Sequence, residues 1–433
     1  MHKTKEIIIT SFALFSMFFG AGNLILPPFL GVQSGENWHL VALGFFTTAV
    51  VIPVIGIVAH ARIQGTMFDF GKKVSPTFSL VYCIIVYIIC IALPAPRTAA
   101  VTHEIAIAPF FKTPSLATSL GYFTLVFLFV MNRSKIIMIL GKFLTPLIAT
   151  ILLAIILIGL YTSPNQTVLT NFETPFVSGL LEGYQTFDAI GAIVIGGVLV
   201  ISLNFKKEYS FATKKALITK AGIIAGSGLF AIYTGLIYSG ATFRSTFAKA
   251  ANRTEILSSL SLQTLGNIST ILLSVLVGLA CFTTAVGIVT GTSDYVKGLF
   301  KNNPKAYTIT ALISCVLGVL LGQFDVQYII AIALPVLMFI YPITIVLIVL
   351  NVLSEKFVSP RIFQAVVGIT FLFSIPDFLK FIIDPKKVQG IQAYIPFSQF
   401  SLGWLLPALG TFIITVTYKY FKTSKSGSLY ENE

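Results

Sequence analysis

Charged residues are scarce in this chain. Of its 433 residues, only 10% are Asp, Glu, Lys or Arg, whereas 56% are hydrophobic. Soluble domains carry about 25% charged residues, so this composition excludes a soluble globular protein. It is typical of a polytopic membrane protein, in which long apolar stretches cross the lipid bilayer.

Acidic residues are scarcer than basic ones, at 16 against 29, and the formal net charge is +13. A basic balance can indicate a nucleic-acid partner, but here Lys and Arg lie in short segments between apolar runs, as topology signals do. We therefore expect no nucleic-acid partner. If the N-terminus is cytoplasmic, 21 of the 29 basic residues fall inside. This excess predicts a multi-pass protein of the plasma (inner) membrane with both termini in the cytoplasm.

Motifs that bind nucleotides or carry catalysis are also missing. The chain contains no G-x-x-x-x-G-K-[ST], no G-x-S-x-G and no C-x-x-C. Its four cysteines lie within apolar runs without metal-ligand spacing, and we interpret Cys83, Cys90, Cys281 and Cys315 as reduced packing residues. We predict that the protein is not an enzyme, holds no cofactor and has no obligate protein partner.

Apolar stretches of spanning length recur about twelve times, which predicts an all-α membrane protein with a single domain over residues 1–433. Their spacing suggests two five-helix halves, 7–161 and 176–352, followed by two peripheral helices at 361–421. The polar stretch 243–266 is expected to form an external lid. The predicted spans are 7–31, 38–61, 77–108, 115–132, 135–161, 176–204, 212–241, 267–296, 306–322, 326–352, 361–383 and 397–421.

The first apolar run is interrupted. Gly-Ala-Gly-Asn occupies residues 20–23, and Pro27 and Pro28 follow. Glycine costs a helix about 1 kcal/mol relative to alanine, and interior proline about 3 kcal/mol. Backbone groups freed in hydrocarbon cost several kcal/mol more, unless they line a polar cavity. A helix broken near residues 20–22 therefore indicates a binding site of a transporter.

The sixth apolar run carries a second interruption, E-G-Y-Q-T-F-D-A-I-G-A at residues 182–192. An acidic group such as Asp188 near the middle of the membrane costs roughly 2.5–3.5 kcal/mol. We interpret Asp188 as the electrostatic partner of a cation or as an anchor of the break, and Glu182 as a solvated carboxylate at the aqueous mouth. Paired interruptions at the start of two halves point to a substrate site at the membrane midplane.

A broken helix offers both signs of partial charge. The outer half of helix 1 begins with unpaired N–H groups, which can hold a carboxylate without a basic side chain. The inner half ends in carbonyl groups near Ser16, Phe18 and Phe19, which suit Na⁺ or an ammonium group. A zwitterionic amino acid matches both. The many Asn, Gln and Asp side chains that a sugar requires are scarce here.

Helix 8 carries adjacent hydroxyl groups at Thr283 and Thr284, one turn after the carbonyl of Ala280. Hydroxyl oxygens are hard donors, of the kind that a small alkali cation prefers. Alternatively, each threonine bonds the carbonyl four residues back in its own helix. Together with the break in helix 1, the pattern favours ion coordination.

Helix 3 carries Arg97, His103 and Glu104. Arg97 and Glu104 lie seven residues apart, on one helical face and about 10 Å apart along the axis. They form either a gate or ion pair at a vestibule, or Arg97 extends to the outer headgroups while Glu104 caps local packing. His103 is a candidate proton relay. A zinc-protease motif is excluded, because no second histidine lies four residues on.

Four segments resemble the BrnQ-type branched-chain amino acid transporters, the LIVCS family of sodium-coupled symporters: F-F-G-A-G-N-L-I-L-P-P (18–28), P-R-T-A-A-V-T-H-E-I-A-I-A-P (96–109), G-Y-Q-T-F-D-A-I-G-A (183–192) and C-F-T-T-A-V-G (281–287). The resemblance covers nearly the whole chain. It implies the five-plus-five inverted repeat of the leucine-transporter-like fold, in the amino acid/polyamine/organocation superfamily. It also implies import of leucine, isoleucine and valine with Na⁺ by alternating access.

The resemblance further implies a set of site residues. The carbonyls of Ser16, Phe19 and Ala280 and the hydroxyls of Thr283 and Thr284 would bind Na⁺. The N–H groups of Ala21 and Gly22 would hold the substrate carboxylate. Asn23 follows them, at the position where an asparagine of related transporters ligates a second sodium ion beside the substrate, and Thr186 is the matching hydroxyl of helix 6. Candidates for the apolar pocket are Tyr184, Phe187 and Ile288. Residues 216–240 offer no clear asparagine partner for a second sodium ion, so we expect one sodium ion per substrate.

Two other functions remain open from the sequence. Asp188, His103 or Glu104 can couple transport to protons instead of sodium. A passive amino-acid channel or a sensor is the alternative from a different class. The expected partners are a branched-chain amino acid, Na⁺ and membrane lipid.

Overall fold

A computed structural model describes residues 2–132, 142, 144–162, 170–204, 209–243 and 252–430. All regular elements within these ranges are helices. They are α1 (His2–Phe18), α2 (Ala21–Ser34), α3 (Trp38–Phe46), α4 (Ile52–Ile63), α5 (Met67–Gly71), α6 (Pro76–Ala92), α7 (Pro94–Val101), α8 (Ser115–Met131), α9 (Thr145–Thr162), α10 (Pro175–Glu182), α11 (Asp188–Asn204), α12 (Phe211–Thr242), α13 (Arg253–Leu265), α14 (Ser269–Leu299), α15 (Pro304–Leu321), α16 (Val326–Val352), α17 (Pro360–Leu379), α18 (Pro385–Gln392) and α19 (Leu405–Tyr430).

These helices build about twelve membrane spans, as predicted. Within the described ranges, nine helical stretches are long and apolar enough to cross a membrane, and two shorter ones are equally apolar. One stretch, Ala21–Ile63, is 43 residues long and supplies two crossings. Spans 1 and 6 are each built from two helices, α1 with α2 and α10 with α11. The predicted five-plus-five arrangement with two further helices is confirmed, whereas the repeat boundaries and the single domain stay predictions.

The described helices group into two compact units. The larger unit comprises residues 1–66 and 86–331, and its core is formed by the apolar side chains of the broken spans and their neighbours. The smaller unit comprises residues 67–85 and 332–433. In it, the Asn351 side chain donates to the Phe70 carbonyl over 3.0 Å.

Span 1 is broken at Phe19–Gly20, directly before the predicted position. Gly20 adopts an extended conformation (φ −115°, ψ −161°) between α1 and α2, and its N–H donates to Asn23 Oδ1 over 3.2 Å. A Cβ atom at Gly20 would lie 2.6 Å from Thr284 Oγ1, so a larger residue would push the broken segment away from α14. Helix α2 continues through Pro27 and Pro28 to Ser34, so these prolines do not end it.

Span 6 is broken at Phe187. A 3₁₀ turn, Gly183–Thr186, follows α10, and Phe187 then takes the left-handed conformation with φ 62°. This conformation is uncommon for a residue other than glycine and is found where the surroundings enforce it. Helix α11 restarts at Asp188, whose N–H donates to Thr186 Oγ1 over 3.3 Å. The break at Phe187 therefore places the carboxylate of Asp188 at a helix N-terminus, where a negative charge is stabilised.

Helices α2 and α10, the second half of span 1 and the first half of span 6, pack through glycine against the backbone of neighbouring helices. A Cβ atom at Gly31 would collide with the carbonyl of Ile237, and one at Gly240 with the carbonyl of Pro28, so α2 and α12 meet backbone to backbone. Gly44 and Gly179 form the same reciprocal contact between α3 and α10. Small residues of this kind allow close approach where lipid provides no hydrophobic driving force.

We expect Gly240→Ala to lower the apparent melting temperature in detergent, because its methyl group has no room beside the Pro28 carbonyl. Overpacking of this kind costs about 1–3 kcal/mol. Gly278→Ala is the matched control, since a Cβ atom there meets nothing within 4 Å. If the two variants have the same apparent melting temperature, the contact of Gly240 with Pro28 does not stabilise this packing.

Candidate functional site

The two helix breaks meet at a buried hydrogen-bond network. The Asn23 side chain donates from Nδ2 to Asp188 Oδ2 over 2.7 Å and also to the Tyr233 hydroxyl. Tyr233 in turn donates to Asp188 Oδ2 over 3.3 Å. All three side chains are at most 3% exposed. The network links α2, α11 and α12. The Asn23 side chain accepts from the backbone N–H of Gly20 in the span 1 break and donates to the carboxylate of Asp188 in the span 6 break.

Arg97 lies at the same centre. Its side chain is 3% exposed and does not extend to the headgroups. Nη2 donates over 2.8 Å to the carbonyl of Gln185 in the span 6 break, and the guanidinium carbon lies 5.3 Å from the centre of the Phe187 ring. A Cβ atom at Gly22 would lie 2.5 Å from Nη2. The guanidinium is therefore packed against the first turn of α2.

Glu104 and His103 lie apart from Arg97 and have other partners. Glu104 accepts from the Thr254 hydroxyl over 2.9 Å and from the Val326 N–H over 3.1 Å. His103 Nδ1 lies 2.9 Å from the hydroxyl of Thr118. Glu104 therefore joins α13 and the start of α16 to span 3, and no bond to Arg97 is formed.

Four of the five predicted sodium ligands are brought together between α1 and α14. The Thr283 hydroxyl donates to the carbonyl of Ser16 over 2.7 Å and to that of Ala280 over 2.9 Å. The Thr284 hydroxyl donates to the carbonyl of Met17 over 3.2 Å. Both threonines thus bridge to the inner half of span 1, beyond their own helix. Phe19, the fifth predicted ligand, lies within the break itself, with its ring stacked on Phe15 and Tyr233.

A small cavity of about 30 Å³ lies between the inner half of span 1, span 6 and α14. Four predicted site residues line it, namely Thr186, Phe187, Asp188 and Ile288, together with Thr284 from the predicted sodium site. Apolar side chains such as Met17, Phe18 and Val194 complete the wall. Tyr184 is fully buried in the 3₁₀ turn and does not line this cavity.

A second polar cluster lies at the N-terminal half of span 6, beside the end of α10. Arg253, the first residue of α13, forms an ion pair with Glu182 over 3.3 Å and donates to Gln327 Oε1 over 3.1 Å. Its guanidinium carbon lies 4.3 Å from the Phe29 ring centre in α2. The interpretation of Glu182 as a solvated carboxylate was wrong, because its side chain is 21% exposed and paired. The predicted lid contributes Arg253 and α13, whereas residues 244–251 lie outside the described ranges.

Sequence reasoning missed Tyr233, Gln185 and Arg253 as members of these clusters. Tyr233 is one of 16 tyrosines and sits in an ordinary apolar helix, so no local pattern marks it. Arg253 was counted only as a topology signal. Both act through partners more than 40 residues away along the chain. The four cysteines are buried and none of them forms a disulfide bond, as predicted.

Two membrane helices broken at corresponding positions around a buried polar centre define the leucine-transporter-like class of transporter folds. The chain is similar in structure to Mhp1, a nucleobase-cation-symport-1 family transporter in a closed conformation with bromovinylhydantoin bound. The TM-score is 0.55 at 13% identity, covering 95% of this chain and 93% of that one. An inward-facing conformation of Mhp1 also gives a TM-score of 0.55, at 12% identity and with 96% and 91% covered. These similarities concern the fold alone.

Sequence comparison identifies the family. The family model described as branched-chain amino acid transport protein matches residues 3–422. The branched-chain amino acid permease BrnQ of Bacillus subtilis is 35% identical over 439 residues, covering 97% of this chain and 98% of the permease. The branched-chain amino acid transport system 2 carrier protein of Pseudomonas aeruginosa is 32% identical over 424 residues, covering 96% of each. The chain therefore belongs to the branched-chain amino acid transport protein family, which confirms the resemblance seen in the sequence.

We expect Tyr233→Phe to destabilise the protein while leaving its shape unchanged. The variant deprives Asn23 and Asp188 of a buried hydroxyl partner, and unsatisfied buried groups cost about 1–3 kcal/mol. The apparent melting temperature in detergent should fall by about 2–6 °C. Tyr238→Phe, on the same helix and in contact with Trp38 rather than the network, should change it little. Equal stability of the two variants would contradict the role given to Tyr233.

Proposed function

We propose that this protein is a sodium-coupled symporter that imports leucine, isoleucine and valine across the plasma membrane by alternating access. The observation that carries the proposal is the meeting of two broken helices at a buried centre, where a cation, a carboxylate and an amide lie beside apolar walls. Its N- and C-termini would be cytoplasmic, and the surrounding lipid would be its only other partner. Membership of its family supports the substrate class.

The apolar wall is suited to a branched aliphatic side chain. Phe187, Ile288 and Val194 offer dispersion contacts and burial, the only interactions that leucine, isoleucine or valine side chains can make. Such a pocket separates side chains that differ by one methylene by only about 1–3 kcal/mol. All three amino acids are therefore expected as substrates.

The geometry corresponds to a closed, compact state. The cavity between the breaks has about the volume of one water molecule, far less than leucine requires. On the outer side, Arg253, Glu182 and Phe29 are in contact above span 6. On the inner side, the Tyr209 hydroxyl donates to the Glu6 carboxylate at the start of α1. Transport would require each of these contacts to open in turn, because the substrate enters on one side and leaves on the other.

The threonines of α14 support sodium as the coupling ion. Thr283 and the carbonyls of Ser16 and Ala280 gather hard oxygen donors within one small volume, where the helix break leaves carbonyl groups without partners in their own helix. An ion bound there would hold α1 against α14, linking a mobile broken helix to its neighbour. Sodium binding would thereby favour the state that accepts substrate.

Proton coupling is the second candidate, and the burial of Asp188 favours it. A carboxylate at membrane depth is the usual element of a proton relay, and Asp188 lies at the centre of the site. The two ions are separated by uptake of radiolabelled leucine into proteoliposomes. Uptake that requires outside sodium and survives collapse of the pH gradient supports sodium. Uptake that follows the pH gradient in potassium buffer supports protons, and equilibration without any gradient supports a channel.

We expect Thr283→Ala to raise the sodium concentration for half-maximal leucine uptake about tenfold. Loss of one hydroxyl ligand costs about 1–2 kcal/mol, which is about a factor of ten in affinity. Thr292→Ala is the matched control. Thr292 lies in the same helix, and its hydroxyl donates to the carbonyl of Ile288, four residues earlier in that helix. An unchanged sodium dependence in Thr283→Ala would remove this threonine from the ion site.

Glu182→Gln should open the outer side more often, because it removes the ion pair with Arg253 and preserves the shape. Loss of such a partly exposed pair costs about 1 kcal/mol, equivalent to about a fivefold shift in population. The measurement is the rate at which an impermeant thiol reagent modifies Thr186→Cys in a Cys90→Ala background. Glu36→Gln, an exposed carboxylate in the turn after α2, is the control. A rate that does not rise would exclude Glu182 as part of the outer gate.

A further inference from the structure

Arg97 is a buried cation that lacks a carboxylate partner. No ion pair joins it to any residue within the described ranges, and its Nε is without a hydrogen-bond acceptor there. A charged group in the interior of a membrane protein is costly unless it is paired, and such groups mark sites of function. One carbonyl and one aromatic ring are weak compensation for a guanidinium, which offers five donors.

The position of Arg97 is that of an anion site. Its Nη2 is packed against Gly22, in the first turn of the 14-residue helix α2. The first N–H groups of a helix have no partner within it and carry partial positive charge. Asn23 uses its own side chain to bind the N–H of Gly20. The N–H groups of Ala21 and Gly22 belong to this first turn of α2, so the helix terminus and the neighbouring guanidinium both favour a bound anion.

The negative charge that complements Arg97 belongs to Asp188, in the span 6 break. Asp188 accepts hydrogen bonds from Asn23 and Tyr233, whereas the hydrogen bond of Arg97 goes to the carbonyl of Gln185. Glycine at position 22 allows this arrangement, because a Cβ atom there would displace the guanidinium. The site thus presents a positive pole at Arg97 and α2, and a negative pole at Asp188.

We propose that Arg97, together with the N-terminus of α2, binds the α-carboxylate of the transported amino acid, and that Asp188 receives its α-ammonium group. This inference rests on the proposed function and names the groups that recognise the substrate backbone. The carboxylate takes the place of the Gln185 carbonyl on Nη2 and adds a bond to Nε, in the two-pronged geometry that arginine and carboxylate share. Release of Gln185 from Arg97 frees the span 6 break to move when substrate binds.

The test measures binding of radiolabelled leucine to purified wild-type protein, with competition by unlabelled leucine, leucinamide and 4-methyl-2-oxopentanoate. Leucinamide lacks the carboxylate and the oxo acid lacks the ammonium group. Both should compete at least 100-fold more weakly than leucine. If leucinamide competes as well as leucine, the assignment of Arg97 is overturned without any variant. If the wild type binds no leucine in sodium or at acidic pH, the proposed function itself fails.

Arg97→Gln then assigns the effect to the side chain. Leucine affinity should fall at least 100-fold, while the affinity for leucinamide changes less than threefold, so the preference between the two ligands disappears. Arg97→Lys should recover part of the preference, because it restores the charge but not the two-pronged geometry. Lys112→Gln, which removes an exposed cation beyond the end of span 3, is the control. A monodisperse Arg97→Gln protein that keeps the leucine preference would overturn the proposal, and if that variant does not fold, the wild-type competition decides.

Discussion

Two interrupted helices persist inside a bilayer only if the polar groups that they free find partners within the protein, and the bond between Asn23 and Asp188 meets this requirement. Asn23 caps the restart of span 1 through the N–H of Gly20 and reaches Asp188 at the restart of span 6. Each break has a local bond of its own, from Gly20 N–H to Asn23 and from Asp188 N–H to Thr186, and the bond between Asn23 and Asp188 joins the two breaks. In a low dielectric such bonds are strong when complete and costly when broken.

The same constraint explains why the site is built from small residues. Gly22 leaves room for Arg97, and Gly20 for Thr284. Farther out, the contacts of Gly31 with Gly240 and of Gly44 with Gly179 bring whole backbones together. Close packing of this kind holds each broken half in a defined position. The glycines that weaken the helices are thus the residues that fix their placement.

The helix breaks could be predicted from the sequence, since the glycines at 20 and 22 and the acidic residue at 188 violate the rules for a membrane helix. The breaks lie within about two residues of the predicted positions. The relation between Arg97 and Glu104 could not be predicted. Their spacing of seven assumes a continuous α-helix, but Thr102–Ile107 forms a π-helix, which turns Glu104 away from the face of Arg97. Tyr233 escaped notice because nothing local distinguishes a tyrosine that bonds across helices from one that packs.

For the substrate site proposed here, the decisive feature is that Arg97 and Asp188 do not bond to each other directly. If Arg97 and Asp188 paired directly, each would satisfy the other, and a zwitterion would have to displace a strong internal bond before binding. Asp188 instead accepts from the neutral donors of Asn23 and Tyr233. Arg97 contacts a carbonyl and an aromatic ring, which are also neutral. The protein thus carries the desolvation cost of both charges before a ligand arrives, and a ligand of matching polarity lowers it.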